Sequence, residues 1–161
     1  MYEVRYLKEN EKNFFLEILY ESIYIEEERK PSIEVLLYTN EFIKYHQDLG
    51  RKGDTVLVAT DDQLGTPIGA VWYRLFSSEK RGYGYVDDYT PELGIALKKE
   101  ARGKGLGNKL MRAIMEEAKN NNFRRLSLSV DIDNTNAINL YRRLGFVEVG
   151  GEGKSITMLS G

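Results

Sequence analysis

The chain has 161 residues and no cysteine, one histidine, three prolines and one tryptophan. The absence of cysteine excludes disulfides, thiolate metal sites and cysteine nucleophiles together. A lone histidine, His46, argues against a Ser-His-Asp triad or a multi-histidine metal site, and it reads as a helix-surface residue. No metal is expected. Neither sign of charge dominates: 23 basic residues stand against 25 acidic ones, a net charge of -2, and no basic patch marks a nucleic-acid surface. No apolar run approaches the roughly 20 residues that span a bilayer. The opening "MYEVRYLKENEKNFF" also lacks the basic start and unbroken apolar core of a signal peptide. These absences predict a cytoplasmic protein with neither nucleic acid nor membrane as partner, acting on a small molecule.

What is present fits one globular domain over residues 1–161, with 42% hydrophobic and 30% charged residues. "YEVRYL" alternates as an edge strand does, and "NEKNFFLEILYESI" carries Phe14, Phe15, Ile18, Leu19 and Ser22 at helical spacing. After Pro31 and Ser32 the spacing predicts a second helix to about Leu49. It has two apolar stripes, Ile33, Leu36, Leu37, Ile43 and Tyr38, Phe42, Tyr45, Leu49, so it is either covered on two sides or lines a pocket. "TVLVAT" and "IGAVWYRLF" read as antiparallel neighbours joined by the turn-rich "DDQLGTP". On the second of these strands Trp72 and Tyr73 point to opposite faces, so one of them can line a pocket. The polar and aromatic stretch "SSEKRGYGYVDDYTP" is a long loop, and long loops in compact domains often carry function.

From there the order is strand "ELGIALK", a glycine-rich segment, a helix to Asn120, strand "RRLSLSV", helix "NTNAINLYRRL", and strands "FVEVG" and "SITML". Strand, helix, strand implies a parallel pair, whereas the earlier meander implies antiparallel pairing, so the central sheet is mixed. Along "ELGIAL" the residues Glu92, Gly94 and Ala96 share one face, and Leu93, Ile95 and Leu97 the other: a floor of small residues with one carboxylate, backed by an apolar core face.

The segment Arg102-Gly103-Lys104-Gly105-Leu106-Gly107 stands directly before an amphipathic helix with Leu110, Met111, Ile114, Met115 and Ala118 on its core face. No Ser, Thr or Asp caps that helix. Bare backbone, first-turn amides, the helix dipole and two cationic residues together make a phosphate site; a tight strand-to-helix turn is the other reading of the same glycines. The spacing matches neither the Walker A pattern, which needs Ser or Thr after Gly-Lys, nor the G-x-G-x-x-G dinucleotide fingerprint.

The segment resembles the R/Q-x-x-G-x-G/A pyrophosphate loop of the GNAT superfamily of acetyl-CoA-dependent N-acetyltransferases. "NTNAINLYRRLGF" is similar to a second signature of that superfamily, N-x-x-A-x-x-L-Y-x-x-x-G-F, from Asn134 to Phe146. Through "GRKGD", "GAVWYRLF" and "GYVDDYTPELGIAL" the chain also resembles a bacterial branch of it. The resemblance implies an α/β fold with a mixed, mostly antiparallel sheet, a splayed parallel strand pair and helices on both faces. It implies acetyl-CoA as co-substrate, with the amides from Arg102 to Asn108 (Gly103, Lys104, Gly105, Leu106 and Gly107 between them) holding the pyrophosphate. The pantetheine arm would lie along the backbone of Ile95 and Leu97 and near Asn134. Glu92 would take the proton of the attacking amine, directly or through water, and Tyr141 would protonate the leaving thiolate. Each has a plainer reading beside it, a solvent-facing strand-end carboxylate for Glu92 and a core stripe with Ala137, Leu140 and Leu144 for Tyr141.

Trp72, Tyr85, Asp87 and Asp88 are the candidate acceptor residues, suited to a cationic amine, although a solvated acidic loop explains the same charges. The expected function is transfer of an acetyl group to the primary amine of a small molecule or peptide, with a non-catalytic acyl-CoA-binding or sensing domain as the alternative. A generic nucleotide-binding module is a third reading, and a homodimer is compatible with the family.

Overall fold

A computed structural model describes residues 2–161. The elements run β1 (Tyr2–Tyr6), α1 (Lys12–Ser22), α2 (Ile33–Leu36), β2 (Thr55–Asp61), β3 (Pro67–Arg74), β4 (Glu92–Leu97), α3 (Leu106–Asn120), β5 (Ser127–Asp131), α4 (Thr135–Arg143), β6 (Val147–Glu152) and β7 (Ser155–Leu159). The strands form one seven-stranded sheet in the order β1-β2-β3-β4-β5-β7-β6. All neighbours are antiparallel except β4 and β5, which are parallel and share one register pair, Glu92 with Ser127. Beyond that pair the two strands part, whereas the other edge of β4 stays paired to β3 from Gly69 and Leu97 to Arg74 and Glu92.

Alternation along the strands sends side chains to two cores. On one face Leu57, Val71, Tyr73, Leu93 and Leu128 pack against Leu110, Met111 and Ile114 of α3 and Ile138 and Tyr141 of α4. On the other, Val56, Val58, Ala70, Trp72 and Ala96 meet Phe15, Ile18 and Leu19 of α1 together with Leu37. The helices therefore cover both faces, and Trp72 and Tyr73 take opposite sides as the period-2 pattern requires. α3 stops at Asn121, with Asn122 in the left-handed region at φ 67°. Among the described residues, no helix is long and apolar enough to cross a membrane.

The helix expected from Pro31 to Leu49 is not formed. α2 ends at Leu36, and the chain continues in turns with a single 3-10 turn at Ile43–Tyr45. Two competitors for the backbone account for this. The Thr39 hydroxyl donates to the Leu36 carbonyl, 2.9 Å away, and the buried Arg74 guanidinium donates to the carbonyls of Lys44 and Gln47 at 2.9 and 2.6 Å. His46 follows the same correction. It is buried rather than on a helix surface, and its Nε2 donates to the Leu37 carbonyl at 2.7 Å.

Candidate active site

Where β4 and β5 part, a cavity of about 440 Å³ opens between the sheet, the end of α1, the turns after α2 and the N-terminal part of α4. Glu92 lines it, opposite Ser127 in register, and is 6% exposed. Its Oε2 accepts a hydrogen bond from the Tyr45 hydroxyl at 2.8 Å, and its Oε1 accepts from the Gly84 amide at 3.0 Å. The Tyr45 hydroxyl in turn accepts from the Tyr83 amide at 2.7 Å. The loop from Gly82 to Gly84 thus wraps the carboxylate with backbone. A Cβ on Gly82 would overlap Glu92 Oε1 and stand 2.8 Å from the Tyr45 oxygen, so only glycine allows this approach.

Burial moves the proton affinities of this cluster. Desolvation pushes the Glu92 carboxyl up to about 7, against the opposing pull of the Tyr45 and Gly84 hydrogen bonds and the Lys44 charge. Tyr45 is raised well above the ordinary phenol value, first by burial and then by the Glu92 charge beside it. The turn that carries Tyr45 is braced from behind: Arg74 pairs bidentately with Asp54 at 3.0 and 2.7 Å while holding the carbonyls of Lys44 and Gln47.

Tyr141 reaches the same cavity from α4. Its ring is buried against Phe146 and its hydroxyl has no hydrogen-bond partner among the described residues; burial raises it to about 12, which keeps it protonated at neutral pH. Asn134 also lines the cavity, where its side chain caps α4 by accepting from the Ala137 amide at 3.4 Å. Trp72 lies over Gly94 and forms part of the lining, with Phe15 edge-on to its ring at 5.4 Å. Ile95 contributes to the wall, and Leu97 ends the unpaired edge of β4.

At that end of β4 the glycine segment turns into α3. Gly103 and Gly105 are left-handed, at φ 75° and 78°, and Leu106 is buried in the core as an anchor. The amides from Gly103 to Asn108 donate to no acceptor among the described residues. Arg102 is oriented by its own bonds, Nε donating to the Leu97 carbonyl at 3.2 Å and Nη2 lying 3.6 Å from Glu21. Lys104 is exposed, and Asn108 accepts from Arg112 at 2.8 Å. Splayed strand edge, partnerless amides and an unengaged hydroxyl lining the cavity fit a long, phosphate-ended acyl carrier.

Tyr85, Asp87 and Asp88 lie elsewhere. The Tyr85 hydroxyl and the Ser78 amide donate to Asp88, while Asp87 pairs with Arg125 at 3.3 Å beside a separate surface hollow with Tyr89 and Arg124. The sequence did not point to the hydrogen bonds of Tyr45 and the Gly82–Gly84 loop with Glu92, nor to the Arg74–Asp54 brace. The one signal for Tyr45 was its place in the second apolar stripe of a segment read as pocket-lining. Among the described residues no group of three or more His, Asp or Glu stands together to hold a metal.

Comparison with known proteins agrees with this geometry. The chain is 33% identical over 98 residues to a mycothiol acetyltransferase of Corynebacterium glutamicum, covering 54% of this chain and 34% of that protein. It is 29% identical over 110 residues to an L-methionine sulfoximine/L-methionine sulfone acetyltransferase of Pseudomonas aeruginosa, covering 63% and 55%. Of the curated relatives it matches first, the chain spans between a quarter and just over half the length. The crystal structure of the PaiA N-acetyltransferase from Thermoplasma acidophilum in complex with coenzyme A shares the fold, with a TM-score of 0.68, 24% identity, and 99% and 98% of the two chains covered. The acetyltransferase (GNAT) family model matches residues 14–146, which take in α1, the splayed pair, the glycine segment and α4. On that match, the chain belongs to the acetyltransferase (GNAT) family.

Proposed function

We propose that this protein transfers an acetyl group from acetyl-CoA to a primary amine. One observation carries the reading. A buried carboxylate, held at both oxygens and pushed to about 7, faces a cavity that opens where two parallel strands part, and past the other end of β4 stands a glycine-rich helix N-terminus whose amides have no acceptor among the described residues.

Acetyl-CoA brings an acetyl group already activated as a thioester. The amides from Gly103 to Asn108, with Arg102 and Lys104 beside them, would hold its pyrophosphate, and the free edge of β4 at Ile95 and Leu97, with Asn134 across the gap, would hold the arm. Glu92 does the proton work at the acceptor. An alkylammonium of pKa about 10.4 is neutral in only about one molecule in 2,000 at pH 7, so a carboxylate with pKa near that pH is a suitable acceptor of its proton. The amine nitrogen forms the new bond to the acetyl carbon as the carbon–sulfur bond breaks, and the nitrogen's proton passes to Glu92, directly or through water.

Tyr141 meets the departing sulfur. Its hydroxyl, at about 12, donates a hydrogen bond to the charge that develops there. Complete transfer of that proton to a thiolate of pKa about 8.5 is uphill by roughly 5 kcal/mol, so hydrogen-bond donation is its favoured contribution.

The test is thiol release from acetyl-CoA with a panel of amines, with the product confirmed by mass. The chain lacks cysteine and adds no thiol background. Acetylated amine formed by the protein and lost in Glu92→Gln supports the reading. Tight acetyl-CoA binding without thiol release for any amine would instead make this a binding or sensing domain.

A further inference from the structure

The cavity has two halves. β5, Asn134 and Tyr141 account for one; the other is walled by residues after α1 and α2 together with Tyr83 from the loop before β4. Rings dominate that second half: Tyr24 and Tyr83 are partly exposed at the mouth, and Phe42 lies 5.8 Å from Tyr83 and 6.3 Å from Tyr45. Glu41 stands at the same mouth and accepts from the Tyr83 hydroxyl. Glu152 adds its field at Tyr83. Farther in lie Glu92 and, on the β5 side, Asp131.

The cations are arranged differently. Arg74 is the one basic residue among the described lining residues, and it is 3% exposed with its donors spent on Asp54 and on the carbonyls of Lys44 and Gln47. Lys44 does not line the cavity, and its ammonium is bound to the Arg81 carbonyl at 2.9 Å. Glu41 and Glu92 therefore face this half, with no free cation among the described lining residues to answer a carboxylate on the incoming molecule. A carboxylate carried in with the acceptor would lose its water and gain no partner. A second ammonium would meet Glu41 and the faces of Phe42 and Tyr83. Tyr141, 7% exposed as a residue, lines the same cavity, and its hydroxyl makes no hydrogen bond among the described residues.

We propose that the acceptor is a cationic amine with no carboxylate near its reacting nitrogen, whose remaining chain runs along the packed pair Phe42 and Tyr83 toward Glu41. This rests on the acetyltransferase reading and narrows its substrate class: diamines and aryl-alkylamines are admitted, and free α-amino acids are rejected.

Matched pairs test it, each an amine and the amino acid that differs from it by one carboxylate: 1,5-diaminopentane with lysine, and tyramine with tyrosine. Titration calorimetry on the coenzyme A-loaded protein reads affinity without requiring turnover. The amine of each pair is expected to bind at least about tenfold more tightly than its carboxylated counterpart, since an unpaired buried charge is costly. Glu41→Gln is expected to weaken 1,5-diaminopentane severalfold while leaving coenzyme A affinity unchanged. Equal or reversed affinities within the pairs, no detectable binding of either amine, or full diamine affinity in Glu41→Gln overturns the proposal. Thiol release from acetyl-CoA with the same amines separates the two claims. Selective binding with no thiol release would overturn acetyl transfer and leave the ligand class standing.

Discussion

Replacing Glu92 by glutamine should make the protein inactive and, above neutral pH, more stable. The buried carboxyl titrates near 7 in the folded protein, against 4.5 as its ordinary value. The folded pKa is the higher one. Between those values the folded state therefore keeps a proton that the unfolded chain has released, and stability is lost as pH rises through the interval. The penalty is under about 1 kcal/mol at pH 5 and grows to roughly 3 kcal/mol at pH 8, at about 1.4 kcal/mol per pK unit. Glutamine removes the titration while keeping an oxygen for the Gly84 amide and a polar group for the Tyr45 hydroxyl. Glu92→Gln is then expected to gain roughly 3 kcal/mol at pH 8, a rise in Tm of about 6–12 °C for a chain of this size, and little at pH 5. Denaturant unfolding of both proteins across that range measures it. A stability difference that does not change with pH, or one that turns more unfavourable to the variant as pH rises, refutes the argument that burial raises the proton affinity of Glu92 in the folded protein.

Three further outcomes follow from the same geometry. Tyr45→Phe removes the hydroxyl that favours the charged form of Glu92 through a hydrogen bond, so the ascending limb of the kcat/KM against pH profile should move to higher pH; an unmoved limb would detach Tyr45 from the base. Tyr141→Phe should lower kcat by about 100- to 1,000-fold with acetyl-CoA affinity retained, as loss of one hydrogen-bond donor to developing charge does; full turnover would return the ring to a packing role. Gly105→Ala places a side chain at φ 78°, costing about 1 kcal/mol of stability, and should weaken acetyl-CoA binding by more than that, as calorimetry and unfolding measured together will show.

The parts of the site that were legible in the sequence are those whose geometry is local. The order of the glycines, the parity of Glu92 against Leu93, and the stripe that sends Tyr141 inward are each fixed within a few residues along one strand or one helix. The splay of β4 from β5 came through family resemblance and has a structural counterpart in their single shared register pair. What stayed hidden is built across long separations. Tyr45 reaches Glu92 over 47 residues of sequence, and Arg74 meets Asp54 over 20. The same Arg74 bonds take the carbonyls that a helix through Leu49 would have needed, so the misread helix and the missed brace have one cause. Helical periodicity between Pro31 and Leu49 was real, but a buried guanidinium outbid it.

The single rung between β4 and β5 has a structural consequence. Seven strands make one sheet by connectivity, yet its hydrogen-bonded ladder falls into two parts, β1 to β4 and β5 to β7, that share one register pair at Glu92 and Ser127 and are bridged below it by the core packed on α3. A chain-like ligand lying along the free edge of β4 completes the seam as an eighth strand would. On the proposed function, the acyl carrier would fill the seam beside the one rung that seats Glu92, so that cofactor and proposed base share a single short stretch of backbone.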